Sequence, residues 1–339
     1  MTGVTVAIVG VTGVVGKAML ECLAECHFPI KRLFAIASDR SAGETIFFNG
    51  EVIKVEPLEG FDFKQVQIAL FSIGAEIALE YAPIAGKAGC IVIDNSSAFR
   101  MHKEVPLIIP EVNAHAIAHY KKHNIIANPN CSTIQMLVAL KPIYDAVGIK
   151  RINVATYQSV SGSGKAAIEE LTQQVQAWCQ QQPIQHEFYP VQIAFNVIPQ
   201  IDVFDENGYT KEEMKMVNET QKILEDEHIY VNPTTVRVPV FYGHSEAIHL
   251  ETLEKISAAQ VTELLQNSPG IEVMDGLSSN RYPTPAKQGT GTNAVYVGRI
   301  REDISHPKGI NLWVVADNIR KGAALNAVQI AQHLLLHHF

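Results

Sequence analysis

One cysteine of the chain stands in a context that suits nucleophilic chemistry. Cys131 follows an apolar run typical of a buried strand and the turn at residues 128–130, and it comes just before the apolar helical pattern of residues 133–146. Free N–H groups and the macrodipole at a helix N-terminus stabilise a thiolate. The position therefore predicts a nucleophilic thiol, whereas most free cysteines are small buried side chains. That ordinary role is expected for Cys22, Cys26, Cys90 and Cys179.

A glycine-rich turn near the N-terminus indicates a second site. Residues 10–16, Gly-Val-Thr-Gly-Val-Val-Gly, follow the apolar run of residues 4–9 and open a helical pattern. A dinucleotide-binding loop requires this strand-to-helix context. Its glycines let backbone N–H groups approach a pyrophosphate, whose charge the helix N-terminus favours. The predicted cofactor contacts in this turn are Gly10, Thr12, Gly13, Val14, Val15 and Gly16.

The end of the second predicted strand bears on which dinucleotide binds. The adenosine ribose should lie beside the run Ser38-Asp39-Arg40-Ser41. Asp39 alone would favour NAD, because a carboxylate accepts hydrogen bonds from a free 2′-hydroxyl. Arg40 between two serines favours the 2′-phosphate of NADP. We expect NADP, with Ser38, Arg40 and Ser41 as contacts; a solvated turn with an ordinary arginine is the alternative.

The apolar patterns around these residues predict an α/β protein of two domains. In the first ~130 residues, short apolar runs alternate with helical stretches, which predicts a Rossmann-type, doubly wound parallel sheet. Longer strands follow, with helices at about 165–181 and 211–227, and predict an α+β catalytic and dimerisation domain with a mostly antiparallel sheet. We expect residues 1–130 with a C-terminal helix at 319–339 to bind NADP, and residues 131–318 to form the second domain. The predicted strands are residues 4–9, 33–37, 68–71, 91–93, 107–109, 125–127, 151–160, 195–198, 236–241, 247–251, 294–301 and 310–316.

Composition narrows the functional classes. The net charge of −8 comes from 35 acidic and 27 basic residues without a block of like charge, so neither nucleic acid nor a membrane is expected as a partner. No leader peptide and no spanning apolar run is evident, which favours a cytoplasmic protein. The five cysteines are odd in number and contain no Cys-x-x-Cys pair, so we expect neither a disulfide framework nor a metal site.

Several motifs in the same order along the chain resemble the aspartate-semialdehyde dehydrogenase family. The resemblance implies NADPH-dependent reduction of L-aspartyl-4-phosphate to L-aspartate-4-semialdehyde with release of phosphate. This reaction belongs to the biosynthesis of lysine and diaminopimelate, threonine, methionine and isoleucine. The motifs are the glycine turn, residues 37–43, Asp-Asn-Ser-Ser-Ala-Phe-Arg at 94–100, Asn-Pro-Asn-Cys-Ser-Thr-Ile-Gln at 128–135, Tyr-Gln-Ser-Val-Ser-Gly at 157–162, Arg-Val-Pro-Val at 237–240, Gly-His-Ser at 243–245 and Ala-Asp-Asn at 316–318.

The resemblance implies catalytic roles that the residue types support. Cys131 would carry the acyl group as a thioester. His244 would transfer protons, since histidine titrates near neutrality without large tuning. Gln158 would lie in the substrate pocket close to the cysteine. Arg237 stands in a strand-like run, where a buried guanidinium would be costly without an anion, and it matches the clamp on the substrate α-carboxylate.

The remaining matches concern phosphate, the substrate amino group and the nicotinamide. Arg100 and Lys215 match the phosphate-binding cations of the family, although Lys215 would also fit a solvated helix face. Glu212, three residues earlier, matches the carboxylate that faces the substrate amino group. Asn130 is expected to hold the phosphate or the oxyanion. The expected contacts of the nicotinamide are Ser161, Gly162 and Asn318.

The sequence alone leaves alternative functions open. An N-acetyl-glutamyl-phosphate reductase shares the two-domain plan and the thioester chemistry, but its N-acylated substrate presents no free ammonium group. An inactive NADP-binding paralogue would need none of the reactive residues. A glyceraldehyde-phosphate dehydrogenase is disfavoured, because its Ser-Cys-Thr-Thr context is absent. The family also implies a homodimer or a dimer of dimers.

Overall fold

The computed structural model describes residues 3–276 and 281–338, which form two compact units. The described parts of residues 1–130 and 323–339 make the first unit, and those of residues 131–322 make the second. The last residue of the expected C-terminal helix, residue 339, lies outside the described residues.

The regular elements alternate along the first unit and are longer in the second. The strands are β1 (Val4–Val9), β2 (Ile30–Ala37), β3 (Thr45–Phe48), β4 (Glu51–Pro57), β5 (Ile68–Phe71), β6 (Ile91–Asp94), β7 (Ile125–Ala127), β8 (Ile149–Gln158), β9 (Tyr230–Arg237), β10 (His244–Thr252), β11 (Ile271–Val273), β12 (Val295–Glu302) and β13 (Gly309–Ala316). The helices are α1 (Val14–Glu25), α2 (Ala75–Lys87), α3 (Pro110–Asn113), α4 (Cys131–Val147), α5 (Lys165–Cys179), α6 (Lys211–Leu224), α7 (Ala258–Gln266) and α8 (Leu325–His337).

The first unit contains a sheet with the order β3-β4-β2-β1-β5-β6-β7. The β3–β4 pairing is antiparallel, and the other pairings in this sheet are parallel. Strands β1 and β5 to β7 are apolar and buried along almost their whole length, as expected for a parallel sheet that is covered on both faces. Helix α8 contacts α1 and β6 of the same unit.

The second unit contains a sheet with the order β11-β12-β13-β10-β8-β9. The central pairings, from β12 through β13 and β10 to β8, are antiparallel, and the two outer pairings are parallel. Together the two sheets confirm the predicted α/β fold class. Among the described residues, no helix is both long and apolar enough to cross a lipid bilayer.

Three of the strand predictions were wrong. Residues 107–109 form no strand, and Leu107 makes only an isolated bridge to Ala127. Residues 195–198 likewise contribute only the isolated bridge between Ile198 and Arg237. The strand expected at 236–241 lies earlier, at β9, and ends at Arg237, two residues before a proline that cannot donate to a ladder. Helix α7 and the hairpin of β3 and β4 were not predicted.

The register of β10 determines which side chains meet the helix that begins at Cys131. Glu246 stands opposite Thr156 of β8 and Val314 of β13, and His244 is two residues earlier on the same face. Helix α4 contacts β8, β10, β12 and β13 from one side of the sheet. His244 and Glu246 are both fully buried. The polar side chains of this face therefore lie in the interior of the second unit.

Candidate active site

The glycine turn of the first unit has the close backbone packing that its sequence predicts. Gly10 has a φ of +90°, and a Cβ atom at this position would lie 2.1 Å from the carbonyl oxygen of Ser72. A Cβ atom at Gly16 would lie 2.2 Å from the carbonyl oxygen of Gly10. Both glycines are required sterically. The turn leads directly from β1 into the N-terminus of α1, where residues Thr12, Gly13, Val14 and Val15 lie.

The residues expected near the ribose share one turn at the end of β2. Residues 39–41 form a short 3-10 helix, and the Ser41 N–H donates to the carbonyl oxygen of Ser38 at 2.9 Å. Arg40 is exposed. Strands β1 and β2 are parallel neighbours, so their C-terminal ends lie at the same edge of the sheet. This edge of the first unit therefore carries both the glycine turn and Arg40.

Arg100 and Asn130 also belong to the first unit, and the structure buries both. The Arg100 guanidinium donates from Nε to the carbonyl oxygen of Asn128 at 3.0 Å and from Nη2 to that of Asn95 at 2.9 Å. These carbonyl groups orient the cation. Arg100 is thus held in place beside the Asn128–Asn130 turn, although the two are 28 residues apart in the chain.

Cys131 is the first residue of α4, as its sequence context predicted, and it is partly exposed. The chain passes it closely at Gly322, where a Cβ atom would lie 2.8 Å from the Cβ of Cys131. Sequence reasoning did not identify Gly322. The expectation for the remaining thiols was correct for Cys22 and Cys90, which are buried. It was wrong for Cys179, which is exposed on the last turn of α5, and Cys26 is only partly buried.

Gln158 is the last residue of β8 and Ser159 follows it, and both are buried. The Gln158 amide donates from Nε2 to the Thr156 hydroxyl at 3.2 Å and to Oε1 of Glu212 at 3.4 Å. These contacts place the amide beside a carboxylate of α6. The structure therefore brings together two residues that lie 54 positions apart in the chain.

The backbone of Ser159 orients two of the predicted site residues. Its N–H donates to Nδ1 of His244 at 3.1 Å, and its carbonyl oxygen accepts from Nη1 of Arg237 at 2.6 Å. Sequence reasoning missed Ser159, although it lies inside the Tyr-Gln-Ser-Val-Ser-Gly motif. Its place in this motif was the available signal, because its backbone makes both of these contacts and its hydroxyl lies 3.1 Å from the same Nδ1 of His244.

His244 is neutral in this environment. Burial lowers the pKa of His244 well below its ordinary value, and the charge of Arg237 lowers it further. Because Nδ1 accepts from a backbone N–H, the proton of the neutral ring lies on Nε2. Nε2 is buried and has no hydrogen-bond partner among the described residues. His244 thus presents an unused N–H donor.

Asn318 joins the loops around this histidine. Its Oδ1 accepts from the Ser159 hydroxyl at 3.1 Å and from the Gly243 N–H at 2.9 Å, while its Nδ2 donates to the Ser161 hydroxyl at 3.0 Å. At Gly162, a Cβ atom would lie 3.2 Å from Nη1 of Arg237 and from Nε2 of His244. The missing side chain at Gly162 leaves space beside both polar groups.

Lys215 lies in a charged cluster on α6. Its Nζ contacts Oε2 of Glu212 and Oδ2 of Asp202, both at 3.0 Å. Burial alone would lower the pKa of Lys215, but Glu212 and Asp202 raise it, and the net direction is upward. The lysine is therefore held in its charged form. Glu212 is buried and Lys215 is 27% exposed in its side chain, so a fully solvated helix face is excluded.

The N-terminus of helix α6 is capped, which holds this charged cluster in place. Thr210 and Glu213 form a capping box, in which each side chain bonds to the other residue's backbone N–H. Oε1 of Glu213 also accepts from the Thr235 N–H of β9 at 2.9 Å. The first turn of α6 is therefore anchored to the sheet. Asp202, the second partner of Lys215, was not predicted from the sequence.

Contacts within the second unit thus connect most of the residues that the sequence singled out. They link Gln158 to Glu212 and Lys215, and they link His244 to Arg237, Ser161, Gly162 and Asn318. Arg100, Asn130 and the glycine turn belong to the other unit.

Comparisons with known proteins cover nearly the whole chain. Residues 5–120 match the family model described as semialdehyde dehydrogenase, NAD binding domain, and residues 140–321 match the model described as semialdehyde dehydrogenase, dimerisation domain. An aspartate-semialdehyde dehydrogenase of Shewanella violacea is 61% identical over 97% of this chain and 97% of its own. The chain belongs to the aspartate-semialdehyde dehydrogenase family. The resemblance stated from the motifs is confirmed.

Two solved structures add to this relation. Aspartate semialdehyde dehydrogenase II from Vibrio cholerae, complexed with ASA, is 58% identical and superposes with a TM-score of 0.98 over 100% of both chains. Aspartate semialdehyde dehydrogenase from Candida albicans, solved with NADP, is 25% identical and superposes with a TM-score of 0.77 over 98% of both chains. The fold of the family is therefore shared at high and at low identity.

A buried carboxyl group lies on the same face of the second sheet as His244. Glu246 is fully buried, and neither of its carboxyl oxygens has a hydrogen-bond partner among the described residues. Burial raises the pKa of Glu246 well above its ordinary value, and the nearby amide of Gln135 on α4 offsets only part of that rise. The group is therefore a neutral acid in the folded protein.

This carboxyl group should give the protein a pH-dependent stability. Between the ordinary carboxyl pKa and the raised folded value, the folded state holds a proton that the unfolded state has lost, so its contribution to stability falls as pH rises. We expect Glu246→Gln to remove this decline of stability with rising pH. Urea unfolding from pH 5 to 8 measures the difference. Glu263→Gln, at an exposed position of α7, is the control and should leave the slope unchanged. Parallel curves for Glu246→Gln and the unmodified protein would contradict the neutral acid.

Proposed function

We propose that the protein catalyses the NADPH-dependent reductive dephosphorylation of L-aspartyl-4-phosphate to L-aspartate-4-semialdehyde through a thioester on Cys131. One observation carries the proposal: a thiol at a helix N-terminus shares its unit with a buried guanidinium and a buried neutral imidazole, each with an N–H that has no partner in the described part of the chain. Relatives at high identity bear the name of this enzyme, and one has been solved with ASA.

The chemistry begins at Cys131. As a thiolate it attacks the acyl carbon of the acyl phosphate, the C–O bond to phosphate breaks, and a thioester forms. Bound NADPH supplies the hydride that reduces this thioester. His244 donates a hydrogen bond from Nε2 to the oxygen that gains negative charge, which stabilises it until the C–S bond breaks and the aldehyde leaves. The neutral tautomer fixed by Ser159 suits this donor role.

The substrate is recognised through its charged groups. Arg237 binds the α-carboxylate, which compensates for burying the guanidinium. Glu212 faces the amino group, and Gln158 offers its amide to the acyl group. Lys215, kept charged by its neighbours, and Arg100, oriented by backbone carbonyls, bind the phosphate, with Asn130 as a further donor.

NADP fits the edge of the first sheet. The steric need for glycine at Gly10 and Gly16 gives the pyrophosphate a close approach to the N-terminus of α1. Ser38, Arg40 and Ser41 bind the 2′-phosphate. Ser161, Gly162 and Asn318 of the second unit contact the nicotinamide. A relative of this family has been solved with NADP, which supports the choice of cofactor.

The match to a dimerisation domain supports a dimer. We propose that two copies pair through the face of the second sheet that lies opposite α4. Side chains such as Tyr157 and Trp313 lie on this face, with ring centroids 5.6 Å apart. A dimer of dimers and a cytoplasmic location complete the proposal, and residues 1–130 with the C-terminal helix act as its NADP-binding domain.

Replacing the nucleophile should abolish turnover. Cys131→Ala should lower kcat by about 10⁴-fold or more, because no other group in the proposal can carry the acyl group. Phosphate-dependent NADPH formation from aspartate semialdehyde measures the loss. Cys179→Ala removes an exposed free thiol of the same unit and should retain full activity. Full activity of Cys131→Ala, or none in the unmodified protein, would exclude the mechanism.

The same assay with N-acetyl-glutamate semialdehyde separates the nearest alternative function. That substrate has no free ammonium group for Glu212, and its chain is one methylene longer. We expect a strong preference for aspartate semialdehyde in kcat/KM. A preference for the N-acetylated substrate would overturn the substrate assignment and leave the Cys131 chemistry in place.

Arg40 should set the choice between NADP and NAD. Arg40→Ala should raise the KM for NADP by about ten- to a hundredfold through loss of charge-assisted hydrogen bonds, with the KM for NAD nearly unchanged. Cofactor titrations measure both constants. Lys31→Ala, an exposed cation near the other end of β2, is the matched control. An equal change for both cofactors would refute the proposed contact with the 2′-phosphate.

A further inference from the structure

The irregular segment after α5 is held firmly by one buried carboxylate. Glu170 of α5 accepts from the N–H groups of Glu187 at 2.7 Å, Phe188, and Tyr189 at 3.2 Å. Three consecutive backbone donors on one carboxylate leave this stretch little freedom. The backbone of Tyr189 is thus fixed without belonging to a helix or a strand.

A second side chain, one turn further along α5, holds the continuation of the segment. Oε1 of Gln174 accepts from the N–H groups of Ile193 at 3.0 Å and Ala194 at 2.9 Å. Its Nε2 donates to the carbonyl oxygen of Gln185 at 3.0 Å. The side chain of Tyr189 belongs to the apolar cluster that this arrangement creates. The other buried members are Val160, Ala167, Leu171, Ile193, Ala194 and Ile198.

The same segment is joined directly to the proposed carboxylate site. Ile198 and Arg237 exchange two backbone hydrogen bonds, at 2.9 Å and 2.8 Å. Arg237 acts on Tyr189 electrostatically: burial raises the pKa of the phenol, and the guanidinium charge and the Ser163 side chain offset part of the rise. The phenol therefore lies within the field of the buried cation.

Two donors of this region have no partner among the described residues. The buried Tyr189 hydroxyl has no described group within hydrogen-bond distance to accept its proton, because Ser163, which lowers the pKa of the phenol, acts on it as a donor; Nε of Arg237 is also buried without a partner. Arg237 has already given Nη1 to the carbonyl oxygen of Ser159. An unsatisfied buried hydroxyl is destabilising, and phenylalanine would fill the same apolar cluster without that cost. The hydroxyl therefore needs an acceptor, and an anion bound at Arg237 would provide one.

We propose that Tyr189 is a substrate-binding residue, whose hydroxyl donates a hydrogen bond to the carboxylate held by Arg237. This inference rests on the proposed role of Arg237. A carboxylate has two oxygens with about four acceptor positions, so it can accept from Nε of Arg237 and from a phenol together. Because the ring is packed and its backbone is fixed, the hydroxyl is oriented before the substrate arrives.

Tyr189→Phe removes the donor and keeps the ring. The KM for aspartate semialdehyde should rise about ten- to a hundredfold, as expected for loss of a hydrogen bond to a charged group, with kcat within about threefold. The KM values for phosphate and for NADP should not change. The melting temperature should be equal or higher, since an unsatisfied buried hydroxyl is removed. Tyr144→Phe is the matched control: it deletes the hydrogen bond from a phenol to Asp226 at 2.9 Å, far along α4 from Cys131, and should leave all three KM values unchanged.

A substrate without the carboxylate separates this inference from the proposed function. With 3-aminopropanal, Tyr189→Phe and the unmodified protein should have equal kcat/KM. An unchanged KM for aspartate semialdehyde in Tyr189→Phe, a rise in the KM for phosphate instead, or an equal loss with both aldehydes would overturn the role of Tyr189. Arg237→Lys tests the underlying site: if it leaves the KM for aspartate semialdehyde unchanged, the carboxylate site itself is wrong, whatever Tyr189→Phe shows.

Discussion

The backbone of one residue, Ser159, orients both polar residues of the proposed reactive centre. The N–H of Ser159 fixes the tautomer of His244, and its carbonyl oxygen holds the guanidinium of Arg237. Residue 159 immediately follows β8, and Asn318 ties its hydroxyl to the loop that follows β13. The antiparallel register of β8, β10 and β13 therefore keeps the imidazole in place, and the parallel register of β8 and β9 does the same for the guanidinium. A shift of one residue in any of these strands would turn one of the groups away from the other.

The buried polar groups of the second unit follow one electrostatic rule, which is that burial favours the neutral form unless a charge partner is present. His244 and Glu246 are both neutral because each is fully buried, and at His244 the charge of Arg237 lowers the pKa further. Lys215 keeps its charge because the carboxylates of Glu212 and Asp202 stabilise the ammonium group. This division gives the proposed mechanism a neutral donor beside the acyl group and a charged donor for phosphate.

The strands that could be predicted were those whose run of apolar residues matches the buried residues of the strand. The apolar runs of β1, β5 and β7 matched residue for residue, because each is fully apolar or nearly so and is bounded by turn residues. The strand at Arg237 was placed too late, because apolar residues on both sides of Pro239 imitate a continuous strand. The Asn49-Gly50 turn of the β3–β4 hairpin carried a usable signal, since both residues have a positive φ as a two-residue hairpin turn requires.

The residues of the candidate site likewise include some that could be predicted from the sequence and some that could not. Cys131 could be found from its place before an apolar helix, and Arg237 and His244 could be found by resemblance. Ser159 was missed although it lies inside a quoted motif, because its contacts with Arg237 and, in part, with His244 are made by its backbone, which leaves no mark in residue type.

Two further residues of the candidate site could not be predicted from the sequence either. Asp202 lies 13 residues before Lys215, in a segment whose apolar residues follow neither a helical nor a strand repeat. Its contact with Lys215 depends on how the chain folds back. Tyr189 is one of ten tyrosines, and only its unsatisfied hydroxyl distinguishes it.

The central claim is that Cys131 carries the acyl group. Its most direct test is to mix the protein with L-aspartyl-4-phosphate in the absence of NADPH, quench in acid, and determine the mass of the peptide that contains Cys131. We expect an aspartyl adduct on Cys131. It should form with release of one phosphate for each adduct, and hydroxylamine should remove it. An adduct on another residue, or phosphate release with Cys131 unmodified at every time point, would contradict it.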